Sequence, residues 1–213
     1  MRLYKLPDTV LTIKGSAANF LNGITSNTLD ASLNAFLNQH GRIIATFRQK
    51  RVSEDEFLIS VPSMAVDNLL KHIERYVRLS HVSVVPSNQS VYIDLDTTKT
   101  VWGDQPHANT VSEEEFTLFR LNHKIPLMGI DYQEGEFILN VHEHDYVSYT
   151  KGCFLGQEPV AKVHNRAQPS RQLIVAFEDQ CSLQDAAKMT SKTPDPETGR
   201  LKGFIFSLLP HRE

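Results

Sequence analysis

The sequence has few of the features that mark membrane, secreted or disulfide-bonded proteins. Its 213 residues include only two cysteines, Cys153 and Cys181, too few for a disulfide framework. No apolar run approaches the roughly 18 residues that suggest a transmembrane helix. The first residues, Met1 to Lys5, lack the apolar core of a secretion signal. We therefore expect a cytoplasmic protein with no membrane contact, in which both thiols are reduced.

Motifs for common ligands are missing as well. The chain has no Walker loop, no GxGxxG sequence and no CxxC pair, so nucleotide-binding folds and zinc fingers are not predicted. The net charge is −3, which gives no general attraction to nucleic acid or anionic membranes. Hydrophobic residues make up 40% of the chain, enough for a core in one large domain or two small ones.

Hydrophobic periodicity predicts an α+β protein. Alternating apolar and polar residues predict strands at residues 9–14, 42–51, 57–61, 82–85, 90–95, 116–121, 173–177, 187–191 and 201–208. Helical spacing predicts helices at residues 17–22, 63–78 and 159–164, with Ser16 and Ser63 as caps of the first two. Residues 96–112 lack periodicity and predict a long binding or mobile loop. The strand–helix–strand–strand order favours an antiparallel α+β architecture over a doubly wound sheet.

The segment from Lys151 to Glu158 concentrates residue types that suit chemistry and tight turns. Lys151 stands two positions before Cys153, where its charge would favour the thiolate. Gly152 and Gly156 permit backbone angles that other residues resist. The Glu-Pro pair that follows predicts a helix start, whose dipole would also act on the thiol. The plain alternative is that Cys153 is a small buried hydrophobic residue.

Residues 151–162, Lys-Gly-Cys-Phe-Leu-Gly-Gln-Glu-Pro-Val-Ala-Lys, resemble the signature of the YgfZ family, the folate-binding relatives of the glycine-cleavage T-protein. The family pattern is Lys-Gly-Cys-Tyr-x-Gly-Gln-Glu-x-x-x-Arg, in which Phe154 replaces the tyrosine and Lys162 the arginine. Other stretches resemble the family's opening strand and helix, its Gly-Arg hairpin and the segment before the signature: residues 10–15, 19–27, 39–43 and 120–131. The resemblance covers residues 1–172 well and the remainder weakly.

The resemblance implies a T-protein-like α+β fold with ferredoxin-like pieces around a central channel. It divides the chain into a folate-binding domain at residues 1–168 and a smaller C-terminal unit at residues 169–213. Full family members carry a β-barrel in the second unit, and the residues available here suffice only for a reduced barrel. A unit this small is not expected to be stable alone, so it should pack on the first domain.

The same resemblance implies a tetrahydrofolate-binding protein that acts in iron–sulfur cluster assembly or repair and so affects tRNA-modifying enzymes. Cys153 would touch a cluster transiently or exchange with a partner's thiol, with Lys151 as its activating cation. The residues implied to hold the folate, or a one-carbon-substituted form of it, are Phe116, Arg120, Asn122, Gly152, Gln157, Glu158 and Lys162. One cysteine cannot hold a cluster by itself. We therefore expect a monomer whose partners are iron–sulfur client or assembly proteins.

A folate-dependent aminomethyltransferase of the T-protein type is the main alternative. T-proteins carry Arg-Leu-Glu-Ala-Gly where this chain has Arg-Leu-Asn-His-Lys at residues 120–124. Because an amide cannot serve as a base, Asn122 argues against transferase chemistry. The chain is therefore not expected to be a typical aminomethyltransferase.

A non-catalytic RNA-binding adaptor is a third alternative. The segment at residues 151–171 has a net charge of +3, from Lys151, Lys162, Arg166 and Arg171 against Glu158. Such a segment would suit either the anionic tail of a polyglutamyl folate or an RNA backbone. It lacks the interleaved aromatic residues of single-strand binders, so nucleic acid is not the expected partner.

Three remaining features predict no separate site. His142 and His144 would share one face of a strand, but no further ligands accompany them, so a solvated loop is favoured over a metal site. Cys181 has no neighbouring cation, and its thiol should be ordinary. Trp102 could stack on a flat ligand, although a role as an anchor in the core is favoured.

Overall fold

The computed structural model of the protein describes residues 1–104, 109–166 and 168–209. Part of the predicted long loop (105–108), residue 167 beside the predicted domain boundary, and the last residues (210–213) lie outside the described residues. The described chain forms three antiparallel sheets and six α-helices. None of these helices is both long and apolar enough to cross a lipid bilayer.

Five antiparallel strands form the largest sheet: β2 (Asp8–Gly15), β3 (Leu33–Leu37), β4 (Ile43–Arg51), β5 (Glu56–Pro62) and β6 (Val82–Pro86). Their order across the sheet is β3-β4-β5-β2-β6. Leu11 lies opposite Ile59 and Ile13 opposite Phe57, and all four side chains belong to the main hydrophobic core. This confirms the strands predicted at residues 9–14, 42–51, 57–61 and 82–85.

Two helices pack against this sheet: α1 (Ala17–Ile24), and α2 (Val66–Leu79), which follows a 3-10 turn at Ser63–Ala65. Leu21 and Leu69 are fully buried beneath them, so both predicted helices are confirmed. The predicted serine caps are wrong. Ser16 has φ −69° and ψ 47°, outside the extended conformation of a capping residue, and makes no capping hydrogen bond. Ser63 Oγ donates instead to the carbonyl of Pro7 at 2.9 Å.

A second, smaller core lies between a three-stranded sheet and a helix: β1 (Leu3–Lys5), β7 (Ser90–Asp94), β8 (Thr100–Gly103) and α3 (Glu113–His123). The strand order is β1-β7-β8, all antiparallel. Tyr4 and Val91 from the sheet meet Phe116 and Phe119 from the helix. The strand predicted at residues 90–95 is confirmed.

Two predictions for this region are wrong. Residues 116–121 belong to α3 and not to a strand. The Ser112 hydroxyl caps this helix by accepting a hydrogen bond from the N–H of Glu115 at 3.1 Å, and three glutamates in the first turn suit the positive end of the helix. The predicted loop at residues 96–112 contains β8, because Trp102 and its neighbours pair with β7.

Two more helices precede the C-terminal strands: α4 (Glu143–Tyr146) and α5 (Gln157–Arg166). The helix predicted at residues 159–164 is confirmed within α5. His142 and His144 lie at the start of α4 and not on a strand. Within the described part of the chain, no group of three or more His, Cys, Asp or Glu side chains is placed to hold a metal ion.

The C-terminal unit is an open antiparallel sheet in the order β10-β11-β9, with one short helix: β9 (Arg171–Phe177), α6 (Leu183–Ala186), β10 (Thr190–Pro194) and β11 (Leu201–Leu208). The reduced barrel therefore takes the form of three strands that do not close within the described residues. The strand predicted at 187–191 starts only at Thr190, because Ser182 caps α6 just before it. Leu173 and Phe204 join the main core. The domain boundary at residue 168 stays a prediction.

Candidate functional site

The signature segment (Lys151–Glu158) is anchored at its start by a half-buried cation. The Lys151 ammonium donates to the carbonyl of Thr25 at 2.6 Å and to that of Asn27 at 2.9 Å. These carbonyls lie just beyond the C-terminal end of α1, where a positive charge is favourable. Burial lowers the pKa of Lys151 to about 8.

The second half of the signature segment is locked to α1 and to the β3–β4 hairpin. Phe154 is 7% exposed and belongs to the main core. The N–H of Leu155 donates to the carbonyl of Gly23 at 3.1 Å. Gly156 has a φ of +85°, and an added Cβ would clash with the carbonyl of Asn38 in the hairpin. Only glycine fits this position without strain.

Between these anchors, Gly152 and Cys153 are exposed. The thiol is therefore not the buried hydrophobic residue of the plain alternative. Because both flanks are fixed, the loop holds the exposed thiol on a rigid support. The hydrogen bonds of Lys151 go to backbone carbonyls, so its activation of Cys153 stays a prediction.

A cavity of about 240 Å³, the inner chamber, lies between the largest sheet and the segment at residues 126–132. Its walls are mostly apolar and include Leu6, Phe47, Leu127 and Met128. The apolar lining would suit a flat ring, since ligand pockets combine apolar walls with a few fixed polar groups.

One carboxylate enters the inner chamber. Ser60 Oγ donates to Asp8 Oδ2 at 2.6 Å. Burial raises the pKa of Asp8, while the Ser60 hydrogen bond and the positive charge of Arg48 oppose that rise. Among the described residues that line the chamber, Asp8 is the only acid. It supplies a hydrogen-bond acceptor within an apolar wall.

Two buried tyrosines complete the polar lining. The hydroxyls of Tyr132 and Thr46 share a hydrogen bond at 2.6 Å, and Tyr146 lies beside them. Burial raises the pKa of both tyrosines, so both phenols are neutral near pH 7. Arg48 borders the same space, and within the described part of the chain its guanidinium forms no ion pair.

A second cavity of about 400 Å³, the outer chamber, adjoins the first. Four residues line both cavities: Leu33, Arg48, Pro126 and Tyr146. We refer to the inner and outer chambers together as the channel. Arg48 lines both chambers, so a ligand that occupied both would lie beside this side chain.

The outer chamber is basic and carries one indole ring. Among the described residues that line it, Arg48, Lys50 and Lys99 are basic and Asp145 is the one acid. Trp102 borders it and also packs against the smaller core, so this side chain is both an anchor and a surface for stacking. The outer chamber therefore suits an anionic group attached to an aromatic ring.

Three of the residues implied to bind folate make contacts within the fold, and their role toward folate stays a prediction. Phe116 is 2% exposed and stacks on Tyr4 with ring centroids 3.7 Å apart. Arg120 forms a buried ion pair with Asp131. Asn122 accepts a hydrogen bond from Lys202 Nζ at 2.7 Å. None of the three lines either chamber, although Arg120 supports a chamber wall through its partner.

The other residues implied to bind folate lie on the signature segment and α5, outside the lining of both chambers. Gly152, Glu158 and Lys162 are exposed, and Gln157 is half-buried with its N–H bonded to the signature backbone. In the basic segment at residues 151–171, the charge of Arg171 is partly neutralised, because its guanidinium pairs with the Glu136 carboxylate at 2.5 Å.

Apart from Trp102, which the sequence marks as a possible surface for stacking, the residues that line the channel were not predicted. Asp8, Arg48, Tyr132 and Tyr146 come from four separate segments. Of these four residues, Arg48 is the one whose local sequence indicates a site. It is a charged residue within a strand and follows a mostly apolar run. A charge in that position needs a partner or a cavity.

No family model matches the chain. Two curated proteins are similar, and both are named iron–sulfur cluster assembly factor IBA57 homolog, mitochondrial. The one from Mycosarcoma maydis is 21% identical over 210 residues, covering 78% of this chain and 52% of that protein. The one from Dictyostelium discoideum is 22% identical over 197 residues, covering 71% and 48%. The chain thus spans about half the length of the curated relatives it matches.

Among solved structures, the crystal structure of glycine cleavage system aminomethyltransferase T from Bartonella henselae is similar to this fold. The TM-score is 0.71 at 11% identity, and the match covers 97% of this chain and 78% of that one. This likeness confirms the T-protein-like α+β fold that the signature implied. It carries no information on activity at so low an identity.

Proposed function

We propose that this chain, which belongs to the YgfZ/T-protein-like family, binds tetrahydrofolate in its channel and acts in iron–sulfur cluster assembly or repair. The observation that carries the folate proposal is the order of polarity along the channel. A mostly apolar inner chamber with one carboxylate adjoins an outer chamber with two lysines, and Arg48 lines both. A flat ring with an anionic tail matches this order, with the ring inside and the tail outside.

Tetrahydrofolate, or a one-carbon-substituted form of it, fits these groups chemically. Its pteridine carries N–H and amino donors for Asp8, and its benzoyl ring can stack on Trp102. Its glutamate tail would meet Arg48, Lys50 and Lys99, where each contact is a charge-assisted hydrogen bond. When bound, the folate would supply a carrier for one-carbon units.

The iron–sulfur part of the proposal centres on Cys153. Its thiol is exposed on a loop with fixed flanks, and the two curated relatives are named iron–sulfur cluster assembly factors. A cluster bound by cysteines needs several thiolates, so an iron–sulfur client or assembly protein must supply the others and the contact is transient. Any effect on tRNA modification would follow from service to cluster-dependent modifying enzymes. The chain would act as a monomer in the cytoplasm, although both curated relatives are named as mitochondrial.

Complementation tests the role of the thiol. A strain that lacks its own family member would receive the wild type, Cys153→Ala, or the matched control Cys181→Ala. We expect the first substitution to abolish rescue and the control to retain it. Circular dichroism and the melting temperature should match the wild type for Cys153→Ala, because the exposed side chain contributes little packing. Full rescue by Cys153→Ala contradicts the proposed role.

A folate-dependent transferase remains the second candidate because the inner chamber has its own carboxylate. Asn122, whose amide argued against such chemistry, lies outside the channel, whereas Asp8 lies within it. A general base must first be in reach of the substrate, and only then does its pKa matter. This candidate is favoured if the wild type transfers an aminomethyl group to tetrahydrofolate and Asp8→Asn does not. If the wild type shows no such transfer, the transferase candidate is excluded.

A further inference from the structure

We infer that Asp8 is the group that orients the ring in the inner chamber and selects ligands that present an amino group beside a ring N–H. The inference rests on the proposed function and names a specificity-determining residue for it. This residue lies outside the family signature, at the start of a strand whose sequence predicts only a structural role.

The first support is the position of Asp8 within the inner chamber. It is the first residue of β2 and lies opposite Pro62 of β5, so antiparallel pairing with β5 fixes its backbone. Pro7 restricts the backbone just before it. A side chain carried by a paired strand is placed more sharply than one on a loop.

The second support is the unused hydrogen-bonding capacity of the carboxylate. A carboxylate offers about four lone-pair sites. Among the described residues, the Ser60 hydroxyl is the only side-chain donor to it, and it engages Oδ2. Oδ1 is free to accept from a ligand, and Oδ2 retains a second lone pair. The two oxygens together can meet two parallel N–H donors, the geometry that makes paired hydrogen bonds to carboxylates strong.

The third support is the free-energy cost of keeping a charged carboxylate at the apolar wall of the inner chamber. Burial raises the pKa of Asp8, so the charged form is poorly solvated there. Arg48 is near enough for its charge to oppose that rise, yet it forms no hydrogen bond with Asp8. A purely structural residue at this position would gain more from an apolar side chain. An acid retained among apolar walls, with a free acceptor, is typical of a ligand-recognition site.

The chemistry of the ligand follows from this acceptor. The aminopyrimidinone edge of a reduced pterin presents an exocyclic amino group beside a ring N–H. These are two adjacent donors, and a carboxylate can accept from both. A ring whose amino group is replaced by methyl loses one donor and leaves the carboxylate partly unpaired.

The test compares two probes, tetrahydrofolate and its 2-desamino-2-methyl analogue, by calorimetric titration of the wild type, Asp8→Asn and Asp55→Asn. Asp55 is an exposed acid in the β4–β5 hairpin and serves as the matched control. We expect the wild type and Asp55→Asn to prefer tetrahydrofolate by about tenfold to a hundredfold, the loss that follows from hydrogen bonds to a charged group. Asp8→Asn should lose most of that preference while binding the methyl analogue within about twofold of the wild type.

Each other outcome has a defined meaning. Equal binding of both probes by the wild type overturns the role of Asp8 and leaves folate binding intact. The role of Asp8 is also overturned if Asp8→Asn keeps the wild-type preference for tetrahydrofolate. The same holds if Asp8→Asn loses affinity equally for both probes. No binding of either probe by the wild type overturns the proposed function itself. If Asp8→Asn fails to fold, the proposal stays open to refutation, because equal binding of both probes by the wild type overturns it without any variant.

Discussion

The Arg120 guanidinium donates to the carboxylate of Asp131 at 2.6 Å, and neither side chain is more than 3% exposed. The same carboxylate accepts from the N–H of Leu127 at 2.8 Å and from the hydroxyl of Ser191 at 2.6 Å. One buried ion pair therefore connects α3, a wall of the inner chamber and the C-terminal sheet. Arg120, which the family resemblance implies to contact folate, thus supports the chamber wall from outside the lining.

Arg120→Ala should lower the free energy of unfolding by about 3–5 kcal/mol, because it leaves the buried Asp131 without its counter-ion. Urea denaturation measures the change. The control is Arg78→Ala, which removes an exposed partner of Glu74 and should cost less than about 1 kcal/mol. Equal effects of the two substitutions contradict the structural role of the buried pair.

Gly156→Ala should destabilise the protein by at least about 1–3 kcal/mol, since alanine resists a φ of +85° and its Cβ would strike the hairpin carbonyl. Gly152 is the matched control in the same segment. Nothing lies within 4 Å of a Cβ built there. Chemical denaturation of both variants should show a large loss for Gly156→Ala and almost none for Gly152→Ala. A stable Gly156→Ala protein would mean that the signature segment is not locked to the hairpin.

The pH dependence of stability should report the burial of Lys151. The pKa of this ammonium is about 8 in the folded protein and 10.5 in its ordinary state. Between these values the unfolded chain binds more protons at this site, so the free energy of unfolding rises with pH across that window. Lys151→Met lacks this titration. Denaturation curves at several pH values between 8 and 10.5 should show a steeper rise for the wild type, and parallel curves contradict the half-buried cation.

Asp8→Asn should leave the ligand-free protein at least as stable as the wild type near pH 7. The folded-state pKa of Asp8 is raised by burial, so this carboxylate favours folding less as the pH rises through the interval between its ordinary and raised values. The amide keeps an oxygen for the Ser60 hydroxyl without the buried charge. A melting temperature at or above that of the wild type, together with weaker ligand binding, marks a residue kept for function. A clear loss of stability would assign Asp8 to the fold.

The sequence predicts the parts of this fold that local chemistry decides. The strands of the largest sheet follow from alternation, and the need for glycine at position 156 follows from its place in a tight turn. The strand predicted at residues 116–121 is wrong because a short apolar run fits both the two-residue period of a strand and the 3.6-residue period of a helix. The cap at Ser112 and the glutamates after it decide for a helix in which Phe116, Phe119 and Arg120 share the buried face.

The channel could not be predicted in the same way. Asp8, Arg48, Tyr132 and Tyr146 meet only because distant segments pack together, and no local pattern links them. The resemblance pointed instead to residues of α3 and α5, which the structure places outside the chamber lining. Exposure of Cys153 likewise depends on tertiary anchors, the carbonyls that hold Lys151 and the core that holds Phe154.

The most direct test of the account is calorimetric titration of the purified protein with tetrahydrofolate, comparing the wild type with Arg48→Gln and with the exposed control Arg78→Gln. Arg48 lines both chambers, so a ligand that spans them must meet it. We predict saturable binding at one site, weakened by about tenfold or more in Arg48→Gln and unchanged in the control. Absence of binding to the wild type, or equal affinity in Arg48→Gln, would contradict the claim that the channel is the folate site.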